Sequence, residues 1–184
     1  MDGDNNDVQP TDHDGLSRRR ALGYGGAIVA GAAASQLITD TANAAGGAGS
    51  QVMRTISLAQ ANHIIAAGVQ YVKQHKNIPP MFILVVDACG DEKASRRMDG
   101  NGPASVALVP AKARTAIAFR TSTAQLAERT TDPARIASFV GAGFSLLGGG
   151  RPIVEHGMVI GAIGVGGGSP EQDDEVAGAA LEAL

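Results

Sequence analysis

The stretch Met81-Phe82-Ile83-Leu84-Val85-Val86-Asp87-Ala88-Cys89-Gly90-Asp91 decides the fold. Its first six residues are apolar without a break. A half-buried strand would alternate apolar and polar residues, whereas an unbroken run predicts a central strand buried on both faces. The residues Asp87-Ala88-Cys89-Gly90 predict a turn, with Gly90 free to take a positive φ. The chain then returns over 92–98 as the second arm of a hairpin. A sheet buried on both faces needs helices to cover it, so the search moves outward for them.

On the N-terminal side, Ser57-Leu58-Ala59-Gln60 has the pattern of a capping box. Leu58, Ala61, Ile65, Gly68 and Val72 recur at helical spacing and predict one apolar face of a helix reaching to about residue 76. Ile78-Pro79-Pro80 ends it, because proline disfavours helical geometry in the residue before it. On the C-terminal side, Asp99-Gly100-Asn101-Gly102-Pro103 is a strong break. Residues 104–119 read as helical, with Pro110 splitting the helix or starting a new first turn. Ser122 and Thr123 cap a short helix through Arg129, and Asp132-Pro133 starts another. Two more strands follow, over 152–155 and 158–165, joined at His156-Gly157. Ser169-Pro170-Glu171 then caps a terminal helix whose early acidic residues suit the helix dipole. The order α-β-β-α-α-α-β-β-α predicts an α/β (α+β) fold, an antiparallel sheet of about five strands flanked by helices. The glycine tracts 148–150 and 164–168 lack the lysine and hydroxyl residues of a phosphate loop, and read as turns and close packing.

The first 44 residues differ in kind. Ser17-Arg18-Arg19-Arg20-Ala21-Leu22 is followed by a Gly/Ala-rich apolar stretch over 23–38 and by Ala42-Asn43-Ala44, a small-x-small cleavage pattern. This predicts a twin-arginine export signal over 1–44, a flexible leader over 45–54 and one domain over 55–184, hence a secreted protein. The signal holds six aspartates against three arginines, so all of the chain's net charge of −3 lies there and the remainder is neutral. A neutral domain has no basic field to attract nucleic acid. The lone cysteine, Cys89, excludes an intramolecular disulfide. It is either a small turn residue or a thiol available for redox or inter-subunit bonding.

Several motifs together resemble the GlcG/HbpS family. They are Val85-Val86-Asp87-Ala88-Cys89-Gly90, Arg97-Met98-Asp99-Gly100, Ala111-Lys112-Ala113-Arg114-Thr115-Ala116, Gly148-Gly149-Gly150 before Pro152, and the run 161–167 before Ser169-Pro170-Glu171-Gln172-Asp173. Many relatives carry glycine where this chain has Cys89. With an export signal, the resemblance is to the secreted, haem-binding members. It implies haem and iron ions as ligands, a homo-oligomer that is an octamer in the type case, and a membrane sensor histidine kinase as partner in redox and iron signalling. The competing implication is an enzyme, or an accessory to one, that binds a small carboxylate such as glycolate. A third reading is a purely structural oligomer.

A haem site needs an apolar slot, an axial ligand and a cation near the propionates. The possible ligands are His63 on the first helix, His75 near that helix's end, His156 at a hairpin tip, the methionines, Cys89 and weaker hydroxyls such as Thr115; His156, His63 and Thr115 are the leading candidates. The resemblance implies that Arg97, Lys112 and Thr115 line a common cleft; Lys112 and Thr115 also share a helix face by their spacing. These residues suit propionates or a small acid, and a structural lysine–carboxylate pair is the alternative. Glu171, Asp174 and Glu175 share one face of the terminal helix, where their oxygens suit iron ions or simply a solvated helix start. Asp91 and Glu92 form a weaker acidic pair on the first hairpin.

The signal yields the first prediction. Replacing Arg18 and Arg19 by lysine blocks export, and the secreted wild-type form has an intact mass that starts near Ala45. A secreted form that retains residue 30 excludes this cleavage site.

Overall fold

The computed structural model describes residues 52–184. The expected export signal and most of the leader lie outside the described residues. Five helices and four strands are present among them. In chain order they are α1 (Leu58–Gln74), β1 (Phe82–Asp87), β2 (Glu92–Arg97), α2 (Ser105–Phe119), α3 (Thr123–Arg129), α4 (Pro133–Gly141), β3 (Gly150–Glu155), β4 (Met158–Gly166) and α5 (Pro170–Leu181). The strands form one antiparallel sheet in the order β2-β1-β4-β3. The apolar run therefore sits on an inner strand, as its sequence requires. The sheet has four strands, where about five were expected. The segment before α1 approaches β4 through the bond from Ile56 N to Ile160 O (2.9 Å), but it forms no ladder and adds no strand.

The alternation of β1 explains the layers. Ile83 and Val85 face one side, where Ile64, Ile65 and Val69 of α1 meet Val176, Ala177 and Ala180 of α5. Leu84 and Val86 face the other, under Val109, Ala113 and Ala116 of α2. The expected capping box at Ser57 and Gln60 is present, and the apolar stripe of α1 runs from Ala61 to Val72. Leu58 opens the helix and stays exposed, so the stripe begins one turn later than the spacing suggested. Pro110 neither splits nor restarts α2, which runs through it. The bonds of Ser105, Val106 and Ala107 N–H to carbonyls three residues back tighten that first turn. The second hairpin turns on His156 (φ 49°) and Gly157 (φ 76°), a two-residue loop of the primed type that matches strand twist.

On the α2 side, strand β4 is nearly bare of side chains. Ala162, Gly164 and Gly166 of β4 let the helix backbone lie directly on the strand. A Cβ at Gly164 would run into Val109 O, and would lie 3.0 Å from Ala113 N. Backbone atoms of a packed helix have nowhere to go. Gly164→Ala therefore destabilises the domain by about 1–3 kcal/mol, the usual cost of overpacking. Gly102→Ala, with nothing within 4 Å of its Cβ, leaves the urea midpoint unchanged. Equal midpoints for the two variants would refute the close-packing account.

Candidate functional site

Val109, Lys112, Ala113 and Ala116 recur at helical spacing on the buried face of α2. A lysine on an apolar stripe must find a partner, because an unpaired buried charge is too costly to keep. Lys112 Nζ donates to Asp173 Oδ2 at 2.5 Å and to Val165 O at 3.0 Å. Asp173 stands in the first turn of α5, and its Oδ1 accepts from Gly168 N at 2.9 Å. The two side chains are 2% and 5% exposed. Burial pushes the Asp173 carboxyl up from its ordinary range, against the opposing bonds from Lys112 and Gly168. Gly149 and Gly150 make room for this arrangement. A Cβ on Gly149 would lie 2.7 Å from Asp173 Cβ, and one on Gly150 would lie 2.5 Å from Lys112 O.

Beside the pair is a cavity of about 240 Å³, lined by Ser105, Leu108, Lys112, Gly167 and Asp173 among others. Arg97 and Thr115 do not line it. Thr115 is fully buried, and its Oγ1 donates to Ala111 O (2.7 Å) and accepts from Ser145 N (2.9 Å), anchoring the loop after α4. Arg97 is exposed at the end of β2, where its Nη2 donates to Asn101 O at 3.3 Å. Thus Lys112 and Thr115 share the inner face of α2, and Arg97 stands apart from them. Asn101 itself is buried: its Nδ2 donates to Pro80 O and Gly166 O, tying the post-hairpin break to the end of β4.

The two candidate histidines stand on different elements, which meet where Gln60 Nε2 of α1 donates to Glu155 Oε1 at 2.9 Å. His63 is exposed on α1, across the sheet from α2, and His156 is exposed at the β3–β4 tip. The carboxylates of α5 line a groove of about 540 Å³ with Ala124, Ala127 and Leu146. Two of them have partners. Asp174 accepts both bonds of Arg151, which raise that guanidinium's pKa. Glu175 accepts from Tyr71 Oη at 2.6 Å, which raises the tyrosine's. Hydrogen bonding from Ser169 holds the Glu171 carboxyl below its ordinary range. Asp91 and Glu92 are exposed, with Glu92 accepting from Ser95 Oγ. Among the described residues, no three His, Cys, Asp or Glu side chains converge to hold a metal ion.

A further groove, of about 720 Å³, opens between the segment before α1, the C-cap of α2 and the second hairpin. Its lining is Val52, Met53, Arg54, Arg120, Met158 and Val159, with Gly157 between them. Sequence reasoning had the methionines only as a class of possible iron ligands and did not bring these segments together, and it missed Asp173 as the partner of Lys112. The Lys112–Asp173 pair had a signal, a lone lysine on an Ala/Val stripe, whereas the groove joins segments distant in sequence and had none.

These features define an α+β domain with helices on both sheet faces and a glycine-lined ion pair at one end of the inner strand. The family described as "Haem degrading protein HbpS-like" matches residues 56–182, and the chain belongs to it. Among curated proteins it is 34% identical over 108 residues to the corrinoid adenosyltransferase PduO of Salmonella typhimurium, a match covering 57% of this chain. That match spans about a third of the length of PduO, 32%. A crystal structure of a double mutant of Streptomyces reticuli HbpS superposes with a TM-score of 0.65 at 30% identity, covering 76% of this chain and 92% of that one. The crystal structure of a PduOC complex with haem superposes with a TM-score of 0.64 at 30% identity, covering 71% and 95%.

The buried pair yields a prediction with a definite sign. Lys112→Met strands a buried carboxylate, so it destabilises the domain by about 3–5 kcal/mol at neutral pH. The Asp173 carboxyl is already raised, so its protonated form favours the fold. That contribution is full below the ordinary carboxylate range and is lost as pH rises through the raised value. The penalty of Lys112→Met therefore shrinks on acidification, and Lys112→Met with Asp173→Leu recovers much of the loss. Urea titrations at neutral pH and near pH 5 read this out; a pH-independent penalty would contradict it.

Proposed function

We propose that this chain is an exported haem-binding protein. It leaves the cytoplasm by the twin-arginine route, assembles as a homo-oligomer of octameric type and serves a membrane sensor kinase as an accessory in redox and iron signalling. The observation that carries the haem reading is the likeness, over nearly the whole of that chain, to PduOC in complex with haem. The donors such a group needs are present on the described surface. They include the thioethers of Met53 and Met158, the imidazoles of His63 and His156, and the guanidiniums of Arg54 and Arg120. Neither arginine has a carboxylate within ion-pair distance among the described residues. When bound, haem supplies an iron centre for redox or ligand chemistry; the chain's own residues hold it and set its exposure to water. Iron enters this reading as the haem iron, because the acidic side chains of α5 are already engaged or solvated.

Oligomerisation is supported by unspent apolar surface. α4 buries none of its residues, and Ile136, Val140 and Phe119 remain exposed around a cluster of Phe119, Phe139 and Phe144. A second reading, an accessory that binds a small carboxylate, is favoured by the 240 Å³ cavity beside Lys112, which has room for a few heavy atoms.

Haemin titration of the purified protein tests the leading reading. The expected result is a shifted Soret band that saturates at about one haem per subunit. No shift beyond that of a non-specific control protein rejects it, and glycolate protection of the fold in the same preparation would favour the second reading.

A further inference from the structure

Of the cavities in the described domain, few have the chemistry of a dicarboxylate macrocycle. The 240 Å³ cavity falls below the ordinary range for a pocket of that class, about 300–1,000 Å³. The 540 Å³ groove is of sufficient size but is edged by Glu171, Asp174 and Glu175, which repel propionates. A recess of about 440 Å³ holds Cys89, Arg114 and Phe144, but offers one cation and also carries Asp91.

The 720 Å³ groove differs on each count. It is the roomiest of these, it has no acidic residue in its lining, and it carries two guanidiniums, Arg54 and Arg120. Arg120 adopts a left-handed backbone (φ 51°) at the C-cap of α2, an uncommon geometry for a non-glycine residue. Val52, Met53, Met158 and Val159 supply apolar walls, and the two methionines supply soft sulfur ligands for iron. Met158 is 44% exposed and sits on a strand, paired in register with Glu155, so its backbone is fixed by the ladder. His156 is two residues away at the same hairpin tip.

We propose that this groove is the haem seat of this chain, with the Met158 thioether as an iron ligand and the Arg54 and Arg120 guanidiniums on the propionates. The proposal rests on the haem reading above and names its site. It moves the carboxylate-holding role from Lys112, whose ammonium is committed to Asp173, to arginines that have no acidic partner. It also accounts for the surface character of the groove, because a ligand that closes it would cover Met53 and Met158 together.

The test is haemin titration of the wild type and of Arg54→Ala/Arg120→Ala, Met158→Leu, Arg97→Ala and Cys89→Ser, with far-UV circular dichroism to confirm that each variant is folded. All four alter exposed residues. The double arginine variant is expected to bind about ten- to a hundredfold more weakly, the loss of two charge-assisted bonds at a partly solvated site. Met158→Leu keeps the bulk and removes the sulfur, so the ferric spectrum changes. Arg97→Ala and Cys89→Ser leave both affinity and spectrum as they were. If the wild type binds no haem, the haem reading fails, and this site with it. If the wild type binds and the double arginine variant binds equally well, the haem reading stands and this seat is overturned. An unaltered spectrum in Met158→Leu overturns the ligand assignment, and a changed one in Cys89→Ser places the iron in the smaller recess.

Discussion

The ion pair between Lys112 and Asp173 is the contact on which the geometry of the domain turns. It joins the middle of α2 to the first turn of α5, and through Val165 O and Gly168 N it fastens both to the end of β4. These elements lie on opposite faces of the sheet, so ordinary side-chain packing cannot tie them together. A long cationic side chain passing the edge can. The cost is the desolvation of two charges, which a pair repays only when its remaining donors and acceptors are also satisfied. Here two backbone groups complete the set.

That arrangement dictates the glycines around it. The chain at 148–150 threads between the α2 backbone, the end of β4 and the start of α5, and a side chain at any of the three would strike backbone atoms. The same logic runs along β4, where Gly164 and Ala162 bring α2 down onto the strand. A core assembled from close backbone approach needs few large side chains. This is the physical sense of a chain with 25 glycines, no tryptophan and 3% aromatic residues. Three of its four phenylalanines, Phe119, Phe139 and Phe144, are placed outside that core, where they hold the ends of α2 and α4 together.

Much of this was legible in the sequence, because the decisive signals are local. The run 81–86 specifies an inner strand, prolines and glycines mark most boundaries though not at Pro110, and a capping box at Ser57 and a Ser-Pro cap at Ser169 mark the starts of α1 and α5. The order of elements follows from these alone. What the sequence could not fix depends on where distant segments meet. The number of strands turned on whether the segment before α1 forms a ladder or a single bond. Lys112 was recognisable as important, but its destination was not, since Asp173 lies 61 residues away and reaches it only after the chain has closed around the glycine tract. Thr115 posed the same difficulty. Its hydroxyl looks free on a helical wheel and is in fact committed to the loop at Ser145. The acidic face of α5 was correctly grouped by spacing, yet Arg151 and Tyr71 arrive from β3 and α1 to engage two of its members.

The inner strand β4 thus has two unlike ends. At Val165–Gly168 every charge is paired, buried and surrounded by backbone. At Met158–Val159, roughly 25 Å away by the rise of an extended strand, the groove is lined by arginines without acidic partners, Glu155 across from Met158 is held by Gln60 Nε2, and the apolar side chains Met53 and Met158 are exposed. The contrast separates two jobs that charged residues can do. A charge that has been desolvated and paired during folding holds the architecture, and diverting it to a ligand would cost much of the stability it supports. A charge that folding leaves in water, beside apolar surface, can exchange water for a ligand's carboxylate without disturbing the core. On that ground the locked end of β4 belongs to the fold, and the open end is the one proposed for binding.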